Sequence, residues 1–406
     1  MIIKKDIIII GGGASGLFAA IKAKENNPDK SVVILEAQNR VGRKLLSTGN
    51  GRCNLTNTGC SKNCYHGSFR KYIDTVYEKC SVERVIKEFS KLGLMTKAED
   101  EGRVYPMSNH ASTVLDVLRF RIEALGIETF CDTKVRDINK HGNIFYISTN
   151  KGSYNCRKLI ICTGSCASPK LGADSGVIKI LKKLGHNITP LSPALCPVKV
   201  KSELLPSLKG IRVEGKVGLY DNEALVKEEY GEIQFTENSL SGICIFNLSS
   251  MLKKAKKPVI KIDLLPYLDR KYIINFLKKN KKLFNDLLIE NLFTGVFVKK
   301  LGMTVLKQAS VTPFSRKIDS ITDSEIEKIA NVIKGWSFET VKSNDFSHAQ
   351  VASGGVIGTE INPYSMESAI IKNLFICGEA IDIDGDCGGY NLQFAFASGI
   401  IAGENV

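Results

Sequence analysis

The chain has 406 residues, of which 43% are hydrophobic and 24% charged, the make-up of a globular protein with room for two or three domains. Its formal charge is +14, so a basic surface is expected on it. No apolar run reaches the ~18–20 residues that span a bilayer. The short apolar stretch near the start lacks a cleavage-site pattern, so a cytoplasmic protein with no membrane is the expectation.

Residues 7–10 are four consecutive isoleucines. Such a run reads as a strand buried on both faces, as in a parallel sheet. Gly11, Gly13 and Gly16 follow as G-x-G-x-x-G. The first glycine allows the tight turn, the second lets backbone approach a pyrophosphate, and the third lets the helix pack on the strand. The helix entered at Ala14 and Ser15 points its first N–H groups at that pyrophosphate. A second strand, 31–35, ends in Glu36, 20 residues past Gly16 and followed by Ala37. That is the place of the acid that bonds a ribose diol. An acid there disfavours a 2′-phosphate, so the expected ligand is FAD or NAD rather than NADP.

The loop that follows holds Gly42, Arg43, Lys44, Gly49, Asn50, Gly51, Arg52, Cys53 and Asn54. It is too polar and too rich in glycine for a core, and its cations suit phosphate oxygens. Residues 81–93 form an amphipathic helical pattern and 101–106 a short strand ended by Pro106. A helix is expected over 111–125, closed by Gly126. Strands are expected at 127–130 and 134–138, with Val135 where a flavin-binding fold gives the adenine a backbone contact. Residues 143–149 and 152–156 suggest a β-meander. A second buried strand, 158–162, runs into Thr163-Gly164, and 175–184 is helical.

From Pro190 four prolines mark a passage into a second domain. Short strands are expected at 211–220, 223–229, 232–235 and 243–248, then helices at 270–279, 281–291 and 323–334, the last capped from Thr322. Between Met251 and Lys300 there are twelve Lys and one Arg against three Asp and one Glu, a net +9. This segment fits either a solvated helical face or a footprint for RNA or another polyanion. Near the end, 374–377 reads as a buried strand presenting Gly378 and Glu379, and Asp386-Cys387-Gly388-Gly389-Tyr390-Asn391-Leu392 leads into a last helix. A helix start of this kind, aimed at a flavin ring edge, would stabilise the charge of reduced flavin. The expected division is therefore a discontinuous cofactor domain, 1–190 with 345–406, around an inserted domain, 191–344.

Twelve cysteines show no C-x-x-C pair and no zinc spacing. Cys60 and Cys64 with His66 come closest to a ligand set, but reduced, buried thiols and no metal are expected.

The motifs at Gly42–Asn54, Gly231–Thr236, Ala349–Pro363, Met366–Ser368 and Gly378–Gln393 together resemble the BaiN/aminoacetone-oxidase family of bacterial flavoproteins, over essentially the whole chain. One departure is Ser165, where the family has a second glycine after Thr163-Gly164. The resemblance implies an α/β, two-βαβ (Rossmann-like) FAD-binding domain, with a β-barrel plus helical domain inserted. It implies bound FAD, NAD(P)H as a candidate electron donor and a small-molecule substrate. Three activities go with the family: reduction of a C=C bond conjugated to a ketone in bile-acid intermediates, oxidation of small amines such as aminoacetone, and reduction of a uridine in ribosomal RNA to dihydrouridine. The leading expectation is the enone reduction. The alternatives are the ribosomal RNA reaction, reached through the basic inserted domain, the amine oxidase, and a flavin-bearing RNA-binding factor without turnover. Hydride addition needs a proton donor, and Cys53, Cys387 and Tyr390 are the candidates.

Overall fold

A computed structural model describes residues 2–342 and 345–406; the Lys254 side chain, part of one lysine cluster, also lies outside the described set. The chain divides into two compact units, Met1–Ala194 with Asp345–Val406, and Leu195–Asn344. The expected limit at residue 344 falls outside the described residues. The limit expected at 190 moves to 194, because residues 191–194 complete a strand, Ile188–Ala194, that pairs antiparallel with Val351–Val356.

The first unit is built on a parallel sheet. Its strands are β1 (Ile7–Ile10), β2 (Val32–Leu35), β3 (Glu128–Phe130), β4 (Lys158–Ile161) and β5 (Leu374–Ile376). They lie in the order β5-β4-β1-β2-β3. Every residue of the central β1 is buried, which is why its sequence is continuously apolar rather than alternating. Helix α1 (Ala14–Asn26) follows β1, and α2 (Tyr390–Asn405) is the last helix. The two pack through glycine. A Cβ at Gly399 would lie 2.2 Å from the Ser15 carbonyl oxygen, and one at Gly403 2.5 Å from that of Ala19. Phe18, Phe89 and Phe396 stack edge-on around this contact, with centroids 4.9–5.6 Å apart; each such pair is worth ~0.5–1.5 kcal/mol beyond its buried area. The expected meander is present as Val135–His141, Ile144–Thr149 and Ser153–Cys156, extended by Ile2–Lys4 in parallel.

The second unit is a closed six-stranded barrel with helices. Val217, Leu219, Ile233, Phe235, Ile260, Ile262 and Phe338 are among its buried core. The helix Asp323–Gly335 starts with a complete capping box between Thr322 and Glu325. Three expectations are corrected. Residues 223–229 and 232–235 form one strand, Ala224–Phe235, because its long partner Arg212–Asp221 carries the ladder across Tyr230 and Gly231. Residues 243–248 belong to a helix, Ile243–Ser249, in which Cys244, Ile245 and Leu248 are buried at helical spacing. The helix expected at 281–291 is the end of a single helix, Arg270–Leu283, followed by turns. The Ile289 N–H then bonds the Arg316 carbonyl, and the Ile318 N–H bonds that of Leu287, so 287–289 pairs across to 316–318 instead of coiling.

Candidate functional site

Two helix starts organise the first unit. At the first, Gly11 has φ +99, and a Cβ there would lie 2.5 Å from the Cys162 carbonyl oxygen, so the turn needs glycine. Gly13 differs: a Cβ there meets nothing within 4 Å among the described residues. Gly13 is also the cap of α1, and no described side chain caps it and no acid sits in its first turn. The first N–H groups of α1 and its positive dipole end therefore face open space. At the end of β2, Glu36 accepts from the Gly12 N–H through Oε2 (2.8 Å) and from the Gln38 N–H through Oε1 (2.7 Å). Burial raises its pKa above the ordinary carboxylate value. Beside it lies a cleft of about 430 Å³ lined by Ala37, Gln38, Asn39, Arg40, Arg43 and Asp132. Past β4, Gly164 has φ +66 and faces Glu379 Oε2 at 3.6 Å from its Cβ position. The neighbouring Thr163 hydroxyl is buried without a partner among the described residues.

The second helix start is crowded. Gly389 caps α2 with φ +101, again with no described side-chain cap and no acid in the first turn. Here a Cβ would lie 2.5 Å from the Thr56 carbonyl oxygen and 2.8 Å from Asn54 Oδ1. Asn57 Nδ2 donates to the Gly388 carbonyl (3.0 Å). Tyr65 donates its hydroxyl hydrogen to the Tyr390 carbonyl (2.7 Å), and its oxygen lies 2.7 Å from the Tyr77 hydroxyl. His66 Nε2 meets Asp386 Oδ1 at 2.7 Å, while Tyr65–His66 pairs with Asp384–Gly385 as a two-residue ladder. Asn391 closes the turn by exchanging two 2.8 Å bonds with the Gly385 backbone. A segment from Asn54 to His66 thus grips the start of a helix more than 300 residues later. Tyr390 is half-buried with its hydroxyl against the Cys64 thiol, and burial pushes its pKa up. Cys387 is half-buried and likewise raised. Both groups are neutral proton carriers at physiological pH.

The expected residues separate into three sets. Gly11, Gly13, Ala14, Ser15, Gly16, Glu36, Ala37, Thr163, Gly164, Gly378 and Glu379 gather at the carboxyl ends of β1, β2, β4 and β5. Asn54, Asp386, Gly389, Tyr390, Asn391 and the half-buried Leu392 gather at the start of α2. The cations expected on phosphates each have protein partners. Lys44 pairs with Glu379 at 2.9 Å, and Arg43 bonds the Gln38 side chain. Arg52 bonds Glu99 and Asn109 and lies 3.9 Å over the Tyr105 ring. The Gly49–Cys53 loop is left-handed at Gly49, Asn50, Gly51 and Cys53, and Gly42 is left-handed too. Cys53, expected as a candidate proton donor, is fully buried, and burial pushes its thiol up to about 12. Val135 is buried in its strand and does not line the cleft beside Glu36. Sequence reasoning missed Thr56, Asn57 and Tyr65 and weighed His66 only as a metal ligand, since no spacing rule exists across such a separation. No cysteine, Cys60 and Cys64 included, is in a disulfide, and no metal-binding group of three ligands occurs among the described residues.

A family model described as the HI0933-like protein Rossmann domain matches residues 5–405. The chain belongs to the HI0933-like family. It is 32% identical over 98% of its length to the 3-dehydro-bile acid delta(4,6)-reductase of Clostridium scindens, covering 97% of that protein. It is 25% identical over 97% of its length to the ribosomal RNA dihydrouridine synthase of Escherichia coli, covering 96% of it. Among solved structures, the 3-ketosteroid-delta4-(5alpha)-dehydrogenase of Rhodococcus jostii RHA1 shares the fold, with TM-score 0.52 at 14% identity over 99% of this chain and 96% of that one. The HI0933-like chain is an FAD-dependent oxidoreductase. Its residues fit the cofactor: the space before Gly13 admits a pyrophosphate, the open N–H groups of α1 suit its charge, and Glu36 stands where a ribose diol bonds.

Proposed function

We propose that this enzyme reduces a C=C bond conjugated to a ketone. One observation carries the reading: the uncapped start of α2 is flanked by two neutral, half-buried hydrogen donors, Cys387 and Tyr390, and no described acid stands in its first turn. FAD, when bound, supplies the hydride for the β carbon. Gly13 and the first turn of α1 would hold its pyrophosphate and Glu36 its ribose, while the start of α2 would face the flavin ring, its N–H groups stabilising charge there. Tyr390 or Cys387 then gives the proton to the α carbon. Tyr390 is the stronger candidate, because its oxygen is held against Cys64 and its backbone is fixed by Tyr65. The relative from Clostridium scindens, named for a bile-acid delta(4,6) reduction, supports a ring-fused enone as substrate. NAD(P)H is the electron donor in this reading.

The test is anaerobic: the purified yellow protein is bleached with NADPH, NADH or dithionite, then mixed with a 4-en-3-one steroid. Rapid reoxidation with formation of the saturated ketone is expected. Peroxide release on aminoacetone with no enone turnover would replace the reading with an amine oxidase. A second reading is hydride transfer to a uridine of ribosomal RNA. It is favoured by the net +9 of Met251–Lys300 and by the 25% identical dihydrouridine synthase. It requires binding that falls steeply with salt, and a salt-independent enone turnover would eliminate it.

A further inference from the structure

The basic segment of the second unit carries a feature that its charge alone does not announce. The helix Arg270–Leu283 buries Ile273, Leu277 and Asn280. Past Lys281 the side chains turn outward as far as Leu288. Leu283, Phe284, Leu287, Leu288 and, at the start of the helix Lys299–Gln308, Val298 are between 39% and 63% exposed. Four of them fall within six residues, so they form one patch. Val298 is tied to it through the 2.9 Å ion pair between Lys299 and Glu290. Large apolar side chains scattered singly on a surface need no explanation, but a cluster does.

The charges around the patch are mostly positive once pairs are cancelled, with Asp319, whose N–H bonds the Asn285 carbonyl, as the exposed acid left over. Asp286 is matched by Lys317 at 2.8 Å, and Glu290 by Lys299. Lys279, Lys282 and Lys300 are exposed and make no ion pair among the described residues. Lys279 lies three residues before Lys282 and four before Leu283, which puts all three on one helix face. An aliphatic cluster beside uncompensated lysines is the pattern of a surface that lies on a membrane. RNA is a poorer fit, because single strands are bound by aromatic stacking platforms and four of these five residues are aliphatic.

We propose that this patch docks the enzyme on an anionic lipid bilayer, with Leu283, Phe284, Leu287, Leu288 and Val298 entering the headgroup boundary and Lys279, Lys282 and Lys300 meeting the lipid phosphates. No helix among the described residues is long and apolar enough to cross a membrane, so the contact is peripheral. It is compatible with enone reduction and competes with the ribosomal RNA reading, which uses the same basic segment.

The experiment is co-sedimentation of the FAD-loaded enzyme with vesicles of phosphatidylcholine alone and of phosphatidylcholine with 30% (~one lipid in three) phosphatidylglycerol. Binding to the anionic vesicles alone, weakened by salt, is expected. Each of Lys279→Glu, Lys282→Glu and Lys300→Glu should weaken it by roughly fivefold or more. Leu283→Asp with Leu287→Asp should abolish it while flavin content and melting temperature stay those of the parent, since both side chains are already in solvent. The proposal is overturned if anionic vesicles do not sediment the enzyme, or if the aspartate pair leaves binding unchanged. It is equally overturned if the aspartate pair instead dissolves a dimer seen by light scattering, or abolishes binding to an RNA oligonucleotide.

Discussion

The starts of α1 and α2 are two versions of one device. Both are glycine-capped, both lack a first-turn acid, and both belong to the same unit. They differ in what surrounds them. The space before Gly13 is open, whereas Gly389 is wedged against Thr56 and Asn54. The first can do no more than receive a charge. The second is ringed by Cys387, Tyr390, Asp386 and His66, groups that can move or hold a proton. Cofactor identity is therefore written at one helix start and chemistry at the other.

Substitutions at the two glycines break this contrast most sharply. Gly13→Asp places a negative side chain in open space, so the apoprotein should fold normally by circular dichroism. FAD binding should fall by a hundredfold or more, about 3 kcal/mol, measured by flavin fluorescence. At the other start, Tyr390→Phe should keep FAD and slow enone-driven reoxidation by about a hundredfold, read by stopped flow. If Cys387→Ala produces that loss instead, the proton donor is the thiol. A paired comparison then isolates the crowding. Gly13→Ala should leave the apoprotein melt within ~0.5 kcal/mol of the parent, while Gly389→Ala, with φ +101 and a 2.5 Å contact, should cost about 1–3 kcal/mol.

The smaller effects come from protons. Glu36 has a raised pKa in the folded chain, and only its ionised form accepts both ribose hydroxyls. FAD affinity should therefore fall as pH drops through a value above 4.5, and Glu36→Gln should flatten that dependence. Apoprotein stability moves the other way over the same range, because burial penalises the charged form and protonation relieves it. Far from both starts, His186 is buried between Glu360 (2.8 Å) and Ser368 (3.1 Å). Burial lowers the His186 pKa, so the unfolded chain takes up a proton below about 6.5 that the folded chain does not. Stability should decline as pH falls from 7 toward 5, and thermal melts at fixed ionic strength should show this slope.

The first helix start was legible because its information is local. Three glycines, four isoleucines and an acid 20 residues on define it without reference to anything else. The last motif was half legible. Gly388 and Gly389 announced a close approach, but not that Thr56 and Asn54 are what approach. Hydrogen bonds such as Tyr65 to Tyr390 and His66 to Asp386 join segments more than 300 residues apart, and no periodicity encodes them. The partners of Arg52 were hidden for a related reason: Glu99, Asn109 and the Tyr105 ring all lie in a later strand and loop. Residues 243–248 misled because a short apolar run serves strand and helix alike, and the choice fell to the packing of Cys244, Ile245 and Leu248.

The glycine contact between α1 and α2 also sets an order of events during synthesis. Helix α1 emerges from the ribosome early, yet the surface it must cover at Ser15 and Ala19 belongs to Gly399 and Gly403. β4 likewise waits for β5, which follows the whole inserted unit. The second unit is contiguous and can fold while the first is still incomplete. A nascent chain halted between residues 17 and 374 therefore carries the entire glycine motif but no finished sheet around it. The close contact of α1 with α2 can therefore form only after the inserted unit has been synthesised.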